Sequence, residues 1–319
     1  MVLVTGGAGF IGSHLTERLL GMGASVTVYD RFDEFYPGKE RNLAGAVNNP
    51  RFRLVNGDIL DVDRLDSAMK DVDVVFHQAG QAGIGFSVKH PVQVNNVNVN
   101  GTLNVLSLGK KHGVDRIVNA SSSSIFGRPE YLPIDEDHPT NPTSPYGVSK
   151  LAAEQYCRAF HRVYGTDVVS LRYFSVYGPR GRPDQVIHKL TKSLTEGRPP
   201  LIQGDGSHTR DFTYVTDIVA ANILAAQNDG LGGEVFNIGF GSRTSVSELA
   251  ERLTKILSPG RMIPPIHVAE GPGEFPDTQA SNRKAAELLH WRPGVDLDEG
   301  LRMFVDWFKT ATEVVGEAR

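Results

Sequence analysis

Apolar and β-branched residues fall into short runs along this chain, separated by longer stretches of helical period. Val2–Thr5, Ser25–Tyr29, Phe52–Val55, Val72–His77, Arg116–Ala120 and Asp167–Tyr173 read as buried strands. Between them, Ile11–Met22, Val62–Met69, Val94–His112 and Ser144–Tyr164 read as helices. Strands alternating with helices predict an α/β fold, a doubly wound parallel sheet of Rossmann type covered on both faces. After Phe174 the rhythm breaks at Pro179, Pro183, Pro199 and Pro200; Asp211–Gln227 and Val235–Gly239 then read as a return to the first lobe. From Ser245 a helix, an extended piece at Met262–Val268, a Pro/Gly loop at Gly271–Pro276 and two terminal helices complete a smaller, discontinuous α/β lobe. The expected boundaries are 1–174, with a return segment near 211–240, for the first lobe, and 175–210 with 241–319 for the second. A ligand cleft is expected between them.

Composition narrows the function classes. With 319 residues and 40% apolar content the chain has ample material for two cores. Lys plus Arg number 33 against 37 Asp plus Glu, a net charge of -4, which gives no electrostatic reason to expect nucleic acid or an acidic membrane as partner. Cys157 is the single cysteine, so neither an internal disulfide, a CxxC pair nor a thiolate zinc cluster can form; it reads as a small buried hydrophobe, and no metal is expected. The strand-like Val2–Thr5 directly after Met1 leaves no room for a signal peptide, which implies a cytoplasmic location. The longest uncharged stretch, Pro91–Gly109, carries Gln93, Asn95, Asn96, Asn98, Asn100 and Asn104 and is too polar for a bilayer.

Gly6-Gly7-Ala8-Gly9-Phe10-Ile11-Gly12 follows the first strand and opens the first helix. Glycine there permits a tight turn, lets the backbone approach a pyrophosphate and packs helix against sheet, so that the helix dipole faces the anion. Asp30 closes the second strand, where a carboxylate accepts hydrogen bonds from an adenosine ribose and repels a 2′-phosphate. NAD is therefore expected over NADP, with the adjacent Arg31 as the opposing sign. Asp58-Ile59, at the end of the third strand, reads as an adenine flank or, for Asp58, as a turn cap after Gly57.

Ser144 and Pro145 signal a helix start, after which Tyr146 and Lys150 share one face. A tyrosine, with a reference pKa of about 10, needs a nearby cation to act as a base near neutrality. On an exposed helix such a pair is ordinarily inert. Here Ser121-Ser122-Ser123-Ser124 stands at the carboxyl end of the fifth strand, where open α/β sheets place their ligands, and a hydroxyl there can share the substrate oxygen that Tyr146 deprotonates.

The segments Thr5–Leu15, Asn98-Val-Asn-Gly-Thr102, Ser121–Gly127, Tyr146-Gly-Val-Ser-Lys150, Leu171-Arg-Tyr-Phe174 and Arg210-Asp-Phe-Thr-Tyr-Val215 together resemble the extended short-chain dehydrogenase/reductase superfamily, and within it the nucleotide-sugar 4-epimerases, over nearly the whole length. The resemblance implies a tightly held NAD, a UDP-sugar in the second lobe, and a homodimer formed through helices near 94–112 and 144–164. It implies Ser122, Tyr146 and Lys150 as catalytic residues. Gly6, Gly9, Phe10, Ile11, Asp30, Asp58, Ile59, Ala79, Asn98 and Tyr173 would join Tyr146 and Lys150 around the cofactor. Related 4,6-dehydratases carry Asp-Glu, and decarboxylases a Glu, where this chain has Ser123 and Ser124, so both reactions lose their distinctive carboxylate.

At the sugar end, Ser175 followed by Val-Tyr-Gly-Pro, and then Arg182-Pro183-Asp184, is similar to the UDP-glucuronate 4-epimerases. A guanidinium can bind a C6 carboxylate through two parallel hydrogen bonds; the plainer reading makes Asp184 a helix cap and Arg182 a loop cation. Arg210 resembles the family's diphosphate arginine, Gln203 lies where the family flanks the uracil, and Glu274 replaces an Asp that holds the uridine ribose in many members. Gly271, Gly85, Gln78 and Gly80 depart from the pattern: the first two replace arginines, the others alter His-Leu-Ala-Ala. The expected activity is conversion of UDP-glucuronate to UDP-galacturonate by transient oxidation at C4. UDP-glucose/UDP-galactose epimerisation is the alternative, with UDP-glucuronate decarboxylation or a non-catalytic NAD-binding role further off.

Overall fold

The computed structural model describes residues 1–33, 35, 38–261, 263–269 and 277–316, with side chains described as far as 311. Glu274 and Gly271 lie outside the described residues, as do Met262 and the whole of the expected Pro/Gly loop. Strands β1 (Val2–Thr5), β2 (Val26–Asp30), β3 (Phe52–Asn56), β4 (Val74–His77), β5 (Arg116–Ser122) and β6 (Val168–Tyr173) form one parallel sheet. It has seven strands in the order Val235–Ile238, β6, β5, β4, β1, β2, β3, with Val235–Ile238 parallel to β6 at one edge. The fold is thus the α/β, doubly wound Rossmann arrangement expected. Strands covered on both faces need not alternate, and every residue of β2, β5 and β6 is buried.

One face of the sheet is covered by α1 (Phe10–Gly21) and the Val215–Gln227 helix, which interlock through Leu15, Leu19, Ile218 and Ala221. The other face is covered by Gly101–His112 and Pro145–Tyr164, through Val105, Leu106 and Cys157. Cys157 is 1% exposed and burial pushes its thiol up to about 12, as befits an inert core residue. Ile187, Leu190, Leu249, Leu253, Phe304 and Phe308 build a separate core from the segments after Phe174. Among the described residues no helix is long and apolar enough to cross a membrane, and no His/Cys/Asp/Glu group of three or more could hold a metal.

Two sequence-based boundaries need correction. The expected Val94–His112 helix is three joined pieces, Pro91–Asn95, a π-turn at Asn96–Asn100, and Gly101–His112. A π-turn advances the helix face by an extra residue, which periodicity cannot register, and here it contains Asn98, which is 1% exposed. Strand β5 continues past Ala120 to Ser122, after which Ser123–Ile125 tightens into a 3₁₀ turn capped by the Ser122 hydroxyl, which accepts the Ser124 N–H at 3.1 Å. The four serines at the carboxyl end of the strand therefore divide between strand and turn.

The Pro145–Tyr164 helix starts as its sequence dictates: Ser144 Oγ accepts the Gly147 N–H at 3.1 Å and Pro145 occupies the first turn. Two turns beyond Tyr146 the same helix presents Glu154, which is fully buried. Arg172 on β6 donates to it from Nε at 3.0 Å and Nη2 at 2.7 Å, and Ser121 on β5 donates from Oγ at 2.7 Å. Removing one partner of such a pair strands the other charge. Glu154→Gln is expected to lower unfolding free energy by about 3–5 kcal/mol, measured by chemical denaturation. A loss below about 1 kcal/mol would show that the pair does not hold helix to sheet.

Candidate active site

Two cavities meet at the carboxyl end of the sheet. The first is lined by Gly6, Gly9, Phe10, Ile11, Asp30, Asp58, Ile59, Ala79, Tyr146, Lys150 and Tyr173, among others. Every expected cofactor residue is in its wall except Asn98. That side chain sits behind the wall, accepting the Gln81 N–H at 2.7 Å and donating to Gln81 O at 3.1 Å and Ser149 Oγ at 2.9 Å. Asn98 thereby fixes a cavity-lining loop to the helix that carries Tyr146 and Lys150.

The glycine-rich turn is closed to side chains. Gly6 has φ +69°, and a Cβ there would stand 2.6 Å from Ala79 N. Asp30 accepts the Ala8 N–H at 3.1 Å and the Phe32 N–H at 2.9 Å, tying the end of β2 to this turn. Burial raises the Asp30 carboxyl, opposed by Lys39 and by those two N–H groups. Arg31, the sign that opposed NAD, is bound to carboxylates: Asp33 takes Nε at 2.9 Å and Nη2 at 2.7 Å, and Asp58 takes Nη1 at 3.0 Å. Asp58 also accepts the Leu60 N–H at 2.9 Å, as the turn-cap reading has it, and stands in the cavity wall. The residues fit a dinucleotide. Backbone approaches where a Cβ would block it, and Gln81, 3% exposed in the wall, keeps an Nε2 with no hydrogen-bond partner among the described residues.

The second cavity, about 650 Å³, is lined by Ser122, Ser123, Ser124, Ser175, Arg182, Gln203 and Arg210, the expected sugar-end residues within the described chain. Phe10, Ile11, Ser121, Tyr146, Tyr173 and Arg182 line both cavities. Tyr146 is half-buried at this junction; desolvation raises its pKa, opposed by a hydrogen bond with Ser122 and by the charge of Arg182. Lys150 donates to Ala120 O at 2.8 Å, and burial lowers its pKa to about 8. Ser122 ends β5, the Tyr146 phenol hydrogen-bonds to it and Lys150 Nζ is held at Ala120 O two residues before it, so hydroxyl, phenol and ammonium converge at the end of β5.

The loop bearing Arg182 is pinned to the helix that opens at the glycine turn. Glu17 on α1 takes both carboxylate contacts from Arg180 Nη2 at 2.8 Å, and His14 Nε2 lies 2.9 Å from Pro179 O. Arg182 donates to Asp184 from Nε at 2.9 Å and Nη2 at 3.2 Å. The two-nitrogen edge expected to take a sugar carboxylate is thus occupied by Asp184. The plainer reading of Asp184 fails as well, since the helix Val186–Thr195 has Gln185 at its N-cap with no side-chain cap.

Sequence reasoning missed several lining groups: Asp33, Lys39, Gln78 and Gln81 in the first cavity, Lys189 and His208 in the second. Gln78, a departure from the expected Leu, donates to Tyr173 Oη at 3.1 Å and Asn222 Oδ1 at 2.9 Å, so its polarity is satisfied inside the fold. Gly80, the other departure, leaves space beside Lys150: a Cβ there would lie 3.2 Å from Lys150 Nζ and from Asn98 Oδ1.

Residues 2–239 match the NAD dependent epimerase/dehydratase family, most of the chain. The chain belongs to that family. It is 41% identical over 315 residues, covering 97% of this chain and 98% of the other, to a putative UDP-glucose 4-epimerase of Methanocaldococcus jannaschii. A UDP-glucuronate 4-epimerase of Thermodesulfobacterium geofontis is 35% identical over 319 residues, covering 98% and 97%. The structure of UDP-glucuronic acid 4-epimerase from Bacillus cereus, in complex with UDP-glucuronic acid and NAD, aligns with a TM-score of 0.92 at 36% identity, covering 97% of this chain and 99% of that one. The family is NAD-dependent, and the residues lining the first cavity fit that dinucleotide.

Gly6→Ala combines a left-handed φ with a backbone clash. The variant is expected to fold yet lose most of its bound NAD, read by chromatography of nucleotide released on denaturation. Full retention of NAD would place the cofactor elsewhere.

Proposed function

We propose that this protein is an NAD-dependent 4-epimerase of a UDP-sugar, acting on UDP-glucuronate to give UDP-galacturonate. One observation carries the reading: Tyr146, hydrogen-bonded to Ser122 and followed one helical turn later by Lys150, stands in the wall common to the two cavities. The chemistry supplied by NAD, when bound in the first cavity, is a reversible two-electron oxidation at sugar C4. Tyr146 takes the O4 proton during oxidation and returns it during reduction. Ser122 shares that oxygen and steadies the proton's path. The Lys150 ammonium favours the phenolate, and Ala120 O holds it in place.

The lobe assignment follows the chemistry: 1–174 with 211–240 for the cofactor, 175–210 with 241–319 for the sugar nucleotide. Gln203 and Arg210 serve the uridine diphosphate, while Ser123 and Ser124 lie beside the sugar. A flat 4-keto sugar must turn over between the two transfers, and a cavity of about 650 Å³ gives it room while the diphosphate stays held. Large apolar residues exposed on the outward side of the Pro145–Tyr164 helix, Val148 at 52% and Val163 at 68%, support burial against a second copy in a homodimer.

Oxidation of a uronate at C4 makes a β-keto acid, which loses carbon dioxide when its carboxylate bond aligns with the ketone. Ser175 and Arg182 prevent that alignment by gripping the carboxylate. With Nε and Nη2 committed to Asp184, the grip uses Arg182 Nη1 and the Ser175 hydroxyl.

Tyr146→Phe removes only the ionisable oxygen, so NAD content is expected to survive while turnover falls about 10²–10⁴-fold. Near-normal turnover in a folded variant would move the proton to another group. Arg182→Ala is expected to raise KM for UDP-glucuronate about 10–100-fold, the equivalent of one charge-assisted hydrogen bond. The same variant should change any action on UDP-glucose far less and should release some UDP-pentose. Equal losses on both substrates would make Arg182 structural, and a wild-type preference for UDP-glucose would favour the neutral hexose as substrate.

A further inference from the structure

Among the described residues, the adenosine end of the first cavity gathers five charged side chains within one wall: Asp30, Arg31, Asp33, Lys39 and Asp58. Asp33 stands at their centre. It takes the Nε and Nη2 edge of Arg31 and also pairs with Lys39, while Lys39 lies 4.0 Å from Asp30. Asp58 takes the remaining Nη1 of Arg31 at 3.0 Å. The side chains of Arg31 and Asp33 are 27% and 24% exposed, so the pairing is only partly screened by water.

A 2′-phosphate brings about two negative charges and three acceptor oxygens, and its usual receptor is the two-nitrogen edge of an arginine joined by a second cation. Both cations are present here, at the end of β2 where this fold presents the adenosine ribose. Each is already paired with a carboxylate. Among the described residues, three carboxylates against two cations leave the site net negative, and a 2′-hydroxyl meets no such opposition.

We propose that Asp33, with Asp58 in support, is a cofactor-specificity residue: by occupying Arg31 and Lys39 it converts what would otherwise be a 2′-phosphate site into one that excludes NADP. The inference rests on the reading that this cavity holds NAD, and it assigns to the Asp33–Arg31 pair a share of the discrimination otherwise given wholly to Asp30. Removing Asp33 uncovers the phosphate-binding edge of Arg31 and brings the local balance to two carboxylates against two cations. Removing Arg31 drives the balance the other way, to three carboxylates against one cation.

The test is exchange of purified holoprotein against an equimolar excess of NAD and NADP, followed by gel filtration, denaturation and chromatographic measurement of the bound dinucleotides. Wild type is expected to hold NAD almost exclusively. Asp33→Asn is expected to raise the NADP-to-NAD occupancy ratio about tenfold or more, with the gain shrinking as salt is added. Arg31→Ala is expected to lower the ratio below wild type. Asp58→Asn should move it upward by less than Asp33→Asn, and it serves in its place should that variant not fold. An unchanged ratio in folded, NAD-retaining Asp33→Asn or Asp58→Asn protein, or a ratio raised by Arg31→Ala, overturns the proposal. A wild type that retains neither dinucleotide contradicts the NAD reading itself and is seen before any variant is compared.

Discussion

The buried carboxylate of Glu154 is the joint on which the site depends. It binds one strand through Ser121 and the next through Arg172, and it does so from the helix that also carries Tyr146 and Lys150. Those three residues succeed one another at single-turn spacing, so fixing Glu154 fixes the rotation and height of the other two above the sheet edge. Hydrophobic contacts such as Cys157 against the sheet supply attraction without a unique register. Directional bonds in a dry interior supply the register. Ser121 is itself the neighbour of Ser122, so the same network sets the hydroxyl that meets the Tyr146 phenol.

From that joint outward, each cavity is held by contacts that cross elements. Asn98 ties the Gln81 loop to Ser149, whose hydroxyl donates to Tyr146 O at 2.8 Å, so the wall of the first cavity is linked to the residue proposed to move the proton. On the other side Glu17 and His14 fasten the loop of Arg182 to α1. The residue proposed to hold the sugar carboxylate is therefore anchored to the cofactor side of the cleft. Preorganisation of this kind lets binding energy serve positioning rather than loop ordering.

Much of this was legible in the sequence because it depends on local rules. The glycine turn needs residues without Cβ atoms, Ser144 and Pro145 announce a helix start, and fully buried parallel strands read as apolar runs. What escaped depends on long-range partners. Nothing local to Asn98 reveals a π-turn or that its amide braces Gln81 rather than lining the cavity. Arg182 is recognisable as a candidate carboxylate receptor, yet only the structure places Asp184 on its two-nitrogen edge. Asp33 and Lys39 carry no motif; they matter because the chain beyond β2 folds back over Arg31.

The central claim is that C4 of the sugar is oxidised and restored within one site, with Tyr146 moving the O4 proton and no net redox change. The most direct measurement follows UDP-glucuronate deuterated at C4, incubated with the purified protein in ordinary water without added cofactor. The account predicts UDP-galacturonate that keeps the deuterium at C4, together with the same label in the recovered substrate. Loss of C4 deuterium to solvent during epimerisation, or product that forms only with a consumed external reductant, would contradict it.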